Sequence, residues 1–226
     1  MLKENIIRVL EEIPSGVEVI AATKSRSVEE IREAVSAGIG AIGENYMKEA
    51  EEKFSILGNA VRWHLIGHLQ KNKVRKAVRI FDLIETVDSL ELAGLINTEA
   101  ERLGKTMPIL IEVNSGHETQ KQGVLPESVY DLSREISNYR NLKLAGLMTM
   151  GPQVAEQEQI RPFFRATREL FDYIKERLKN GQDFRYLSMG MSDSYRVAIE
   201  EGANIIRLGT ILFGPRKLKE VKDGQA

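Results

Sequence analysis

A lysine that directly follows an apolar segment is the first residue of this chain that could do covalent chemistry. Lys24 comes after residues 17–23, which read Val-Glu-Val-Ile-Ala-Ala-Thr and are typical of a buried strand. At the end of such a strand we expect the amine to be partly desolvated, and desolvation favours the neutral, nucleophilic form that Schiff-base chemistry needs. The alternative is an ordinary lysine whose stem packs while its ammonium group reaches water.

An arginine inside another apolar segment is the second candidate. Arg207 interrupts residues 204–208, which we expect to form a strand that is covered on at least one face. A buried guanidinium group needs a partner. That partner is either a bound molecule or an acid on another strand, such as Glu112 or Glu85, and the sequence leaves both interpretations open.

Two glycine-containing segments could hold a phosphate group. Residues 188–192 supply hydroxyls and a glycine where we expect a helix to begin, with Ser192 as its N-cap, while Gly209 and Thr210 follow the last apolar segment. Free backbone amides and the helix dipole favour an anion at such places. A lysine amine, an arginine and a phosphate cradle match the aldehyde, the ring nitrogen and the phosphate of pyridoxal 5′-phosphate (PLP).

These residues need a scaffold that brings them to one place. Apolar segments typical of strands alternate with helical patterns, which indicates βαβ units and a parallel sheet. Eight such units in 226 residues fit a single-domain (β/α)8 TIM barrel with an extra N-terminal helix at residues 2–12, and a doubly wound open sheet is the alternative. The candidate strands are residues 17–23, 41–43, 62–66, 83–87, 109–113, 142–148, 186–188 and 204–208.

The barrel hypothesis places the candidates at one face. In a TIM barrel the functional residues lie at the carboxyl ends of the strands, and phosphate sites recur after strands seven and eight. Lys24, Ser192 and Gly209 follow strands one, seven and eight in this scheme. We expect the barrel to occupy residues 1–216 and a charged C-terminal tail to occupy residues 217–226.

Composition and charge argue against several other classes of protein. The net charge of −1 lacks the basic excess of a nucleic-acid-binding protein, and no apolar run reaches the roughly 18 residues of a membrane span. Because the chain has no cysteine and only three histidines, we expect no disulfide, no thiolate chemistry and no metal site. The default expectation is a soluble cytoplasmic protein.

Six short motifs follow one another along the chain: Ala22-Thr23-Lys24, Gly43-Glu44-Asn45-Tyr46, residues 63–73, Gly146-Leu147-Met148, residues 187–193 and residues 207–214. In their order and type they resemble the motifs of the pyridoxal phosphate homeostasis proteins, also called the YggS or PROSC family. The resemblance covers residues 5–216. It implies a single-domain barrel similar to the N-terminal domain of bacterial alanine racemase.

The resemblance also implies a role for each residue of the candidate site. Lys24 would hold PLP through a Schiff base, and Arg207 would face the pyridine nitrogen. His64 would be a neighbour of the pocket, with a strand histidine in a local hydrogen bond as the alternative. Asn45 and Met189 would line the pocket of the ring. The phosphate would be bound by Ser188, Ser192, Gly209 and Thr210.

The arginine bears on activity as well. Since it stays protonated, it does not accept the pyridinium proton, and a ring that faces it is a weak electron sink. Racemases tolerate a weak sink because another domain supplies a second base, and we expect no such domain here.

The favoured function is a non-catalytic protein that binds PLP, buffers it or delivers it. A PLP-dependent amino-acid racemase is the alternative, and a cofactor-free Schiff-base aldolase is a third hypothesis. We expect a monomer, with PLP-dependent apo-enzymes as candidate partners.

Overall fold

Eight parallel strands form a closed barrel. They are β1 (Glu18–Ala22), β2 (Ala41–Glu44), β3 (Arg62–Leu65), β4 (Leu83–Val87), β5 (Met107–Val113), β6 (Leu142–Thr149), β7 (Tyr186–Ser188) and β8 (Ile205–Leu208). The strands pair in sequence order, and β8 closes the barrel on β1, where Ile20 lies opposite Arg207. The computed structural model describes residues 1–215, so the expected charged tail at residues 217–226 lies outside the described residues.

One helix precedes the barrel, others connect its strands, and a short one follows β8. They are α1 (Leu2–Glu11), α2 (Val28–Ser36), α3 (Met47–Leu57), α4 (Val74–Ile80), α5 (Leu90–Arg102), α6 (Pro126–Ile136), α7 (Arg161–Arg177), α8 (Tyr195–Glu200) and α9 (Thr210–Phe213). The predicted (β/α)8 barrel with an extra N-terminal helix is therefore confirmed. Across residues 1–215, no helix combines the length and the apolar character that a membrane crossing requires.

One predicted helix start is wrong, and it concerns a site residue. The sequence predicts Ser192 as the N-cap of α8, but the helix begins at Tyr195 with Ser194 as its N-cap residue. The hydroxyl of Ser192 instead accepts hydrogen bonds from the amides of Gly209 and Ile211, at 3.1 and 3.3 Å. Ser192 thus contacts the segment after β8, whereas the sequence pattern predicts that it caps α8.

Strand side chains alternate between the barrel interior and the outer core under the helices. The interior holds a small buried cluster of Ile20, Ala41, Leu83, Leu110, Ala145, Met148 and Ile205. Residues two positions apart on a strand face the same way. Glu85, Glu112 and Arg207 follow three of these apolar residues at that spacing, so they point into the barrel near the carboxyl ends of the strands.

Candidate functional site

Lys24 lies in the turn after β1, at the carboxyl end of the barrel. Its side chain is half-buried, and its Nζ lies 5.1 Å from the centroid of the exposed Tyr46 ring. Within residues 1–215 the amine forms no hydrogen bond and no ion pair. An aromatic contact without a carboxylate restrains the side chain only weakly, and the role of Lys24 in holding a cofactor stays a prediction.

Arg207 is the centre of a polar chain that crosses the barrel interior. Its Nη1 donates to the hydroxyl of Ser188 at 2.6 Å, and that hydroxyl donates to Oε2 of Glu85 at 2.5 Å. The other terminal nitrogen, Nη2, donates to the carbonyl of Thr149 at 2.8 Å. Nη1 also lies 3.9 Å from Glu85 Oε2. The ion pair with Glu85 that the sequence leaves open is thus present, with Ser188 between the two charges.

His64 joins the same chain from the other side. Its Nδ1 lies 2.7 Å from Oε1 of Glu85, and both side chains are buried. Burial alone would raise the pKa of Glu85, but the hydrogen bond from His64 and the charges of His64 and Arg207 bring that pKa below its ordinary value. Glu85 therefore stays ionised and holds Arg207 in one orientation. The hydrogen bond within the strands, which is the alternative role for His64, is therefore present, with Glu85 as its partner.

Glu112 is a second interior carboxyl group in a contrasting environment. It is 9% exposed, and its carboxyl group forms no hydrogen bond within residues 1–215. Burial, followed by the charge of Asp88, raises its pKa to about 7, although Arg207 opposes the shift. The sequence offers Glu112 only as a partner for Arg207. In the sequence, the only feature that indicates a buried position for Glu112 is its place inside an apolar strand.

A cavity opens next to Glu112 at the carboxyl ends of β5, β6 and β7. Its volume is about 610 Å³, and Asn114, Met150 and Met191 are among the residues that line it. None of the nine residues predicted for the site is in this lining. The cavity nevertheless borders Arg207, because Nη2 of that residue lies 3.3 Å from the sulfur of Met150.

The segments after β7 and β8 meet at one hydroxyl group. Because Gly209 N and Ile211 N both point at Ser192 Oγ, two amide donors converge on one small volume. Thr210 is exposed beside them, and its hydroxyl has no hydrogen-bond partner within residues 1–215. Backbone donors together with a free hydroxyl form a suitable environment for a phosphate oxygen.

The two residues predicted to line a ring pocket lie in different environments. Asn45 is half-buried after β2, where its backbone touches Gly67 so closely that a Cβ there would lie 2.3 Å from the Asn45 carbonyl oxygen. Met189 is fully buried in the core between the strands and the helices. The structure thus joins Arg207 directly to Ser188 and, through Glu85, to His64, and a pocket role for Met189 stays a prediction.

Comparisons with known proteins agree with this architecture. The family model of the alanine racemase N-terminal domain matches residues 1–217. A pyridoxal phosphate homeostasis protein of Aquifex aeolicus is 39% identical over 225 residues, which cover 95% of this chain and 98% of that protein. A protein of the same name from Schizosaccharomyces pombe is 35% identical over 207 residues, covering 90% and 86% of the two chains.

Solved structures extend the likeness to three dimensions. The PLP-bound structure of PipY from Synechococcus elongatus has a TM-score of 0.85 and 32% identity, and the match covers 95% of this chain and all of PipY. An alanine racemase of Clostridium difficile has a TM-score of 0.79 at 17% identity, with 98% of this chain and 58% of the racemase covered. At that identity the likeness shows a shared fold.

Proposed function

The chain belongs to the family of pyridoxal phosphate homeostasis proteins, and we propose that it binds PLP through a Schiff base to Lys24 and buffers or delivers this cofactor without efficient catalysis. The observation that carries the proposal is the likeness to PipY, whose structure holds PLP and matches over its full length. We further propose a cytoplasmic monomer that passes PLP to apo-enzymes.

The residues at the barrel mouth fit each part of PLP. Among the donor groups that lack a hydrogen-bond partner within residues 1–215 are Nζ of Lys24, Nε of Arg207 and the hydroxyl of Thr210. An amine suits an aldehyde, a guanidinium N–H suits the ring nitrogen, and a hydroxyl beside the amides of Gly209 and Ile211 suits a phosphate. The donor set therefore supports the proposed ligand.

The chain's own residues favour binding over catalysis. When bound, PLP supplies a reactive aldehyde and a ring that can accept electrons. Arg207 is held by Ser188 and by the carbonyl of Thr149, and it stays a cation because a guanidinium group does not lose its proton in proteins. It can donate to the ring nitrogen but cannot accept a proton from it. The ring then remains a weak electron sink, which suits storage and transfer.

Replacement of the lysine tests the proposal. We expect Lys24→Ala to abolish the visible absorption band that PLP gives with the wild-type protein, while phosphate-anchored binding persists at least about tenfold more weakly. Borohydride reduction and peptide mass mapping should place the adduct of the wild type on Lys24. The exposed Lys48→Ala on α3 is the matched control and should keep the band.

Other outcomes would contradict the assignment. A band and a reduced adduct that survive in Lys24→Ala would show that another amine holds PLP. A wild-type protein that gives no band and no adduct would refute the PLP proposal itself. Exchange of the α-proton of an amino acid by the PLP-loaded protein, well above the rate with free PLP, would favour the racemase alternative.

A further inference from the structure

The two peptide groups that flank Lys24 are both held by one helix. Nζ of Lys53 donates to the carbonyl of Thr23 at 2.7 Å, and the amide of Ser25 donates to Oε2 of Glu49 at 2.8 Å. Glu49 and Lys53 are one turn apart on α3, and their charged groups lie 3.1 Å from each other. Helix α3 therefore contacts the backbone immediately before and immediately after the reactive lysine.

The turn that carries Lys24 needs such support. Ser25 has a φ of 61°, in the left-handed region that residues other than glycine rarely adopt. A backbone in this region costs on the order of 1 kcal/mol and persists only where the surroundings enforce it. The hydrogen bond from the Ser25 amide to Glu49 is a contact that enforces it.

Lys53 is itself held from inside the protein. Its Nζ donates to Oε1 of Glu44 at 2.6 Å, and the hydroxyl of Thr23 donates to the same oxygen at 2.6 Å. Glu44, Thr23 and Lys53 are all buried, and Oε2 of Glu44 has no hydrogen-bond partner among the residues that the structure describes. Burial raises the pKa of Glu44, although Lys53 opposes the shift.

The cluster of Glu44, Thr23 and Lys53 lies outside the barrel interior that holds the proposed site. Ala41 lies in the barrel interior, so Glu44, three positions later, faces the outer core beside α3. A buried ion pair adds little net stability compared with apolar packing, because removing both charges from water is costly. Its specific consequence here is the geometry that it imposes on Thr23 and Ser25.

We infer that Glu49 and Lys53 are positioning residues for Lys24, which fix the turn on both sides of it and so direct its amine towards the aldehyde of PLP. The inference rests on the proposed function. Neither side chain needs to touch the cofactor. Loss of the support should weaken the step that uses the Lys24 amine and leave the phosphate and ring contacts intact.

Two ligands distinguish the contribution of the Lys24 amine to binding from that of the phosphate and ring contacts. PLP uses the Lys24 amine, whereas pyridoxine 5′-phosphate carries an alcohol in place of the aldehyde and cannot form a Schiff base. We expect Glu49→Ala to weaken PLP binding about tenfold and to change the affinity for pyridoxine 5′-phosphate by less than about twofold. Equilibrium titrations, followed by absorbance for PLP and by calorimetry for the alcohol, measure both.

Three further variants sharpen the test. Glu49→Gln keeps an oxygen that can accept the Ser25 amide, so we expect it to restore most of the PLP affinity. Ser25→Gly removes the cost of the left-handed backbone, because glycine tolerates it, so in this background Glu49→Ala should weaken PLP binding less than it does in the wild type. Glu51→Ala removes another glutamate of α3, one that pairs with Lys76 at the surface at 2.6 Å, and should bind both ligands as the wild type does.

The outcomes distinguish this inference from the proposed function. Equal weakening of both ligands in Glu49→Ala, or no weakening of PLP binding, would overturn the positioning role while leaving the PLP proposal in place. If the wild-type protein forms no Schiff base at all, the proposed function fails and the inference falls with it. Selective loss in Glu49→Ala, restored in Glu49→Gln, is the result that supports it.

Discussion

At the scale of single residues, two carboxyl groups inside one barrel have opposite properties because their neighbours differ. Glu85 is bonded to His64 and Ser188 and lies near Arg207, which together favour its charged form. The carboxyl group of Glu112 forms no such bonds within the described part of the chain, and burial favours its neutral form. The cavity next to Glu112 is therefore lined by a group that changes charge near neutral pH.

The raised pKa of Glu112 predicts how stability depends on pH. A carboxyl group that holds its proton up to about pH 7 in the folded chain, against an ordinary value of 4.5, stabilises the fold at low pH and loses this contribution as the pH rises through 7. We expect Glu112→Gln to match the wild type near pH 5 and to exceed its free energy of unfolding at pH 8 by about 1–3 kcal/mol. Urea denaturation at the two pH values measures the difference.

The exposed Glu52 supplies the control for this prediction. Glu52→Gln should leave the change in stability between pH 5 and pH 8 as it is in the wild type. If Glu112→Gln keeps that same change, the titration of Glu112 does not contribute to it and the raised pKa is wrong.

At the scale of elements, a bulge in β6 sets the position of β7 and hence of Ser188. Ile109 pairs with Leu144, but its neighbour Leu110 pairs with Gly146, so β6 contains one extra residue. Gly146 has a φ of 153°, and a Cβ at this position would lie 1.8 Å from the carbonyl oxygen of Tyr186. Only glycine allows the two strands to approach this closely.

We therefore expect Gly146→Ala to destabilise the fold by more than about 3 kcal/mol, because β7 must move away from β6. Urea denaturation followed by circular dichroism measures the loss. Gly40→Ala is the control, since its Cβ would meet only the end of the Arg62 side chain, at 3.4 Å. A Gly146→Ala protein within 1 kcal/mol of the wild type would show that the strands adjust without cost.

The strands could be predicted closely from the sequence, whereas the connections within the site could not. Each predicted strand ends within two residues of the observed one, because short apolar runs here are bounded by polar residues and glycine. Ser192 shows the limit of local patterns. The local pattern predicts that its hydroxyl caps the nearest helix, but the hydroxyl accepts hydrogen bonds from the amides of Gly209 and Ile211, which the closed barrel places next to it.

The interior chain shows the same limit. The sequence predicts a partner for Arg207, because a buried cation requires one, and Glu85 is one of the two acids that it offers. The hydroxyl of Ser188 between them, and the approach of His64 from the far side, depend on the register of strands that are distant in the sequence. Spacing along the chain does not contain that information.

At the scale of the whole molecule, helix α1 is hydrogen-bonded to helix α9. Nδ2 of Asn5 in α1 donates to the carbonyls of Ile211 and Leu212 in α9, at 2.7 and 2.8 Å. The same short helix follows Gly209, and the amides of Gly209 and Ile211 point at Ser192. Helix α1 therefore supports the proposed phosphate site through α9, although the two helices lie near opposite ends of the sequence.

This connection gives a prediction about affinity as well as stability. We expect Asn5→Ala to lower the free energy of unfolding by about 1–2 kcal/mol, because two carbonyls at the end of α9 lose their donor. Since α9 is then less well held, PLP binding should weaken more than the binding of pyridoxal, which has the aldehyde but no phosphate. Thermal unfolding and parallel titrations with the two aldehydes measure these effects.

The control for this prediction is another asparagine that bonds a helix carbonyl. Asn138 donates to the Arg134 carbonyl at 3.1 Å at the exposed end of α6, far along the chain from the proposed phosphate site. Asn138→Ala should leave the ratio of the PLP and pyridoxal affinities unchanged. If Asn5→Ala weakens both aldehydes equally, α1 stabilises the barrel without shaping its phosphate site. A ratio that shifts only in Asn5→Ala would show that holding α9 against α1 and holding the phosphate depend on the same contact.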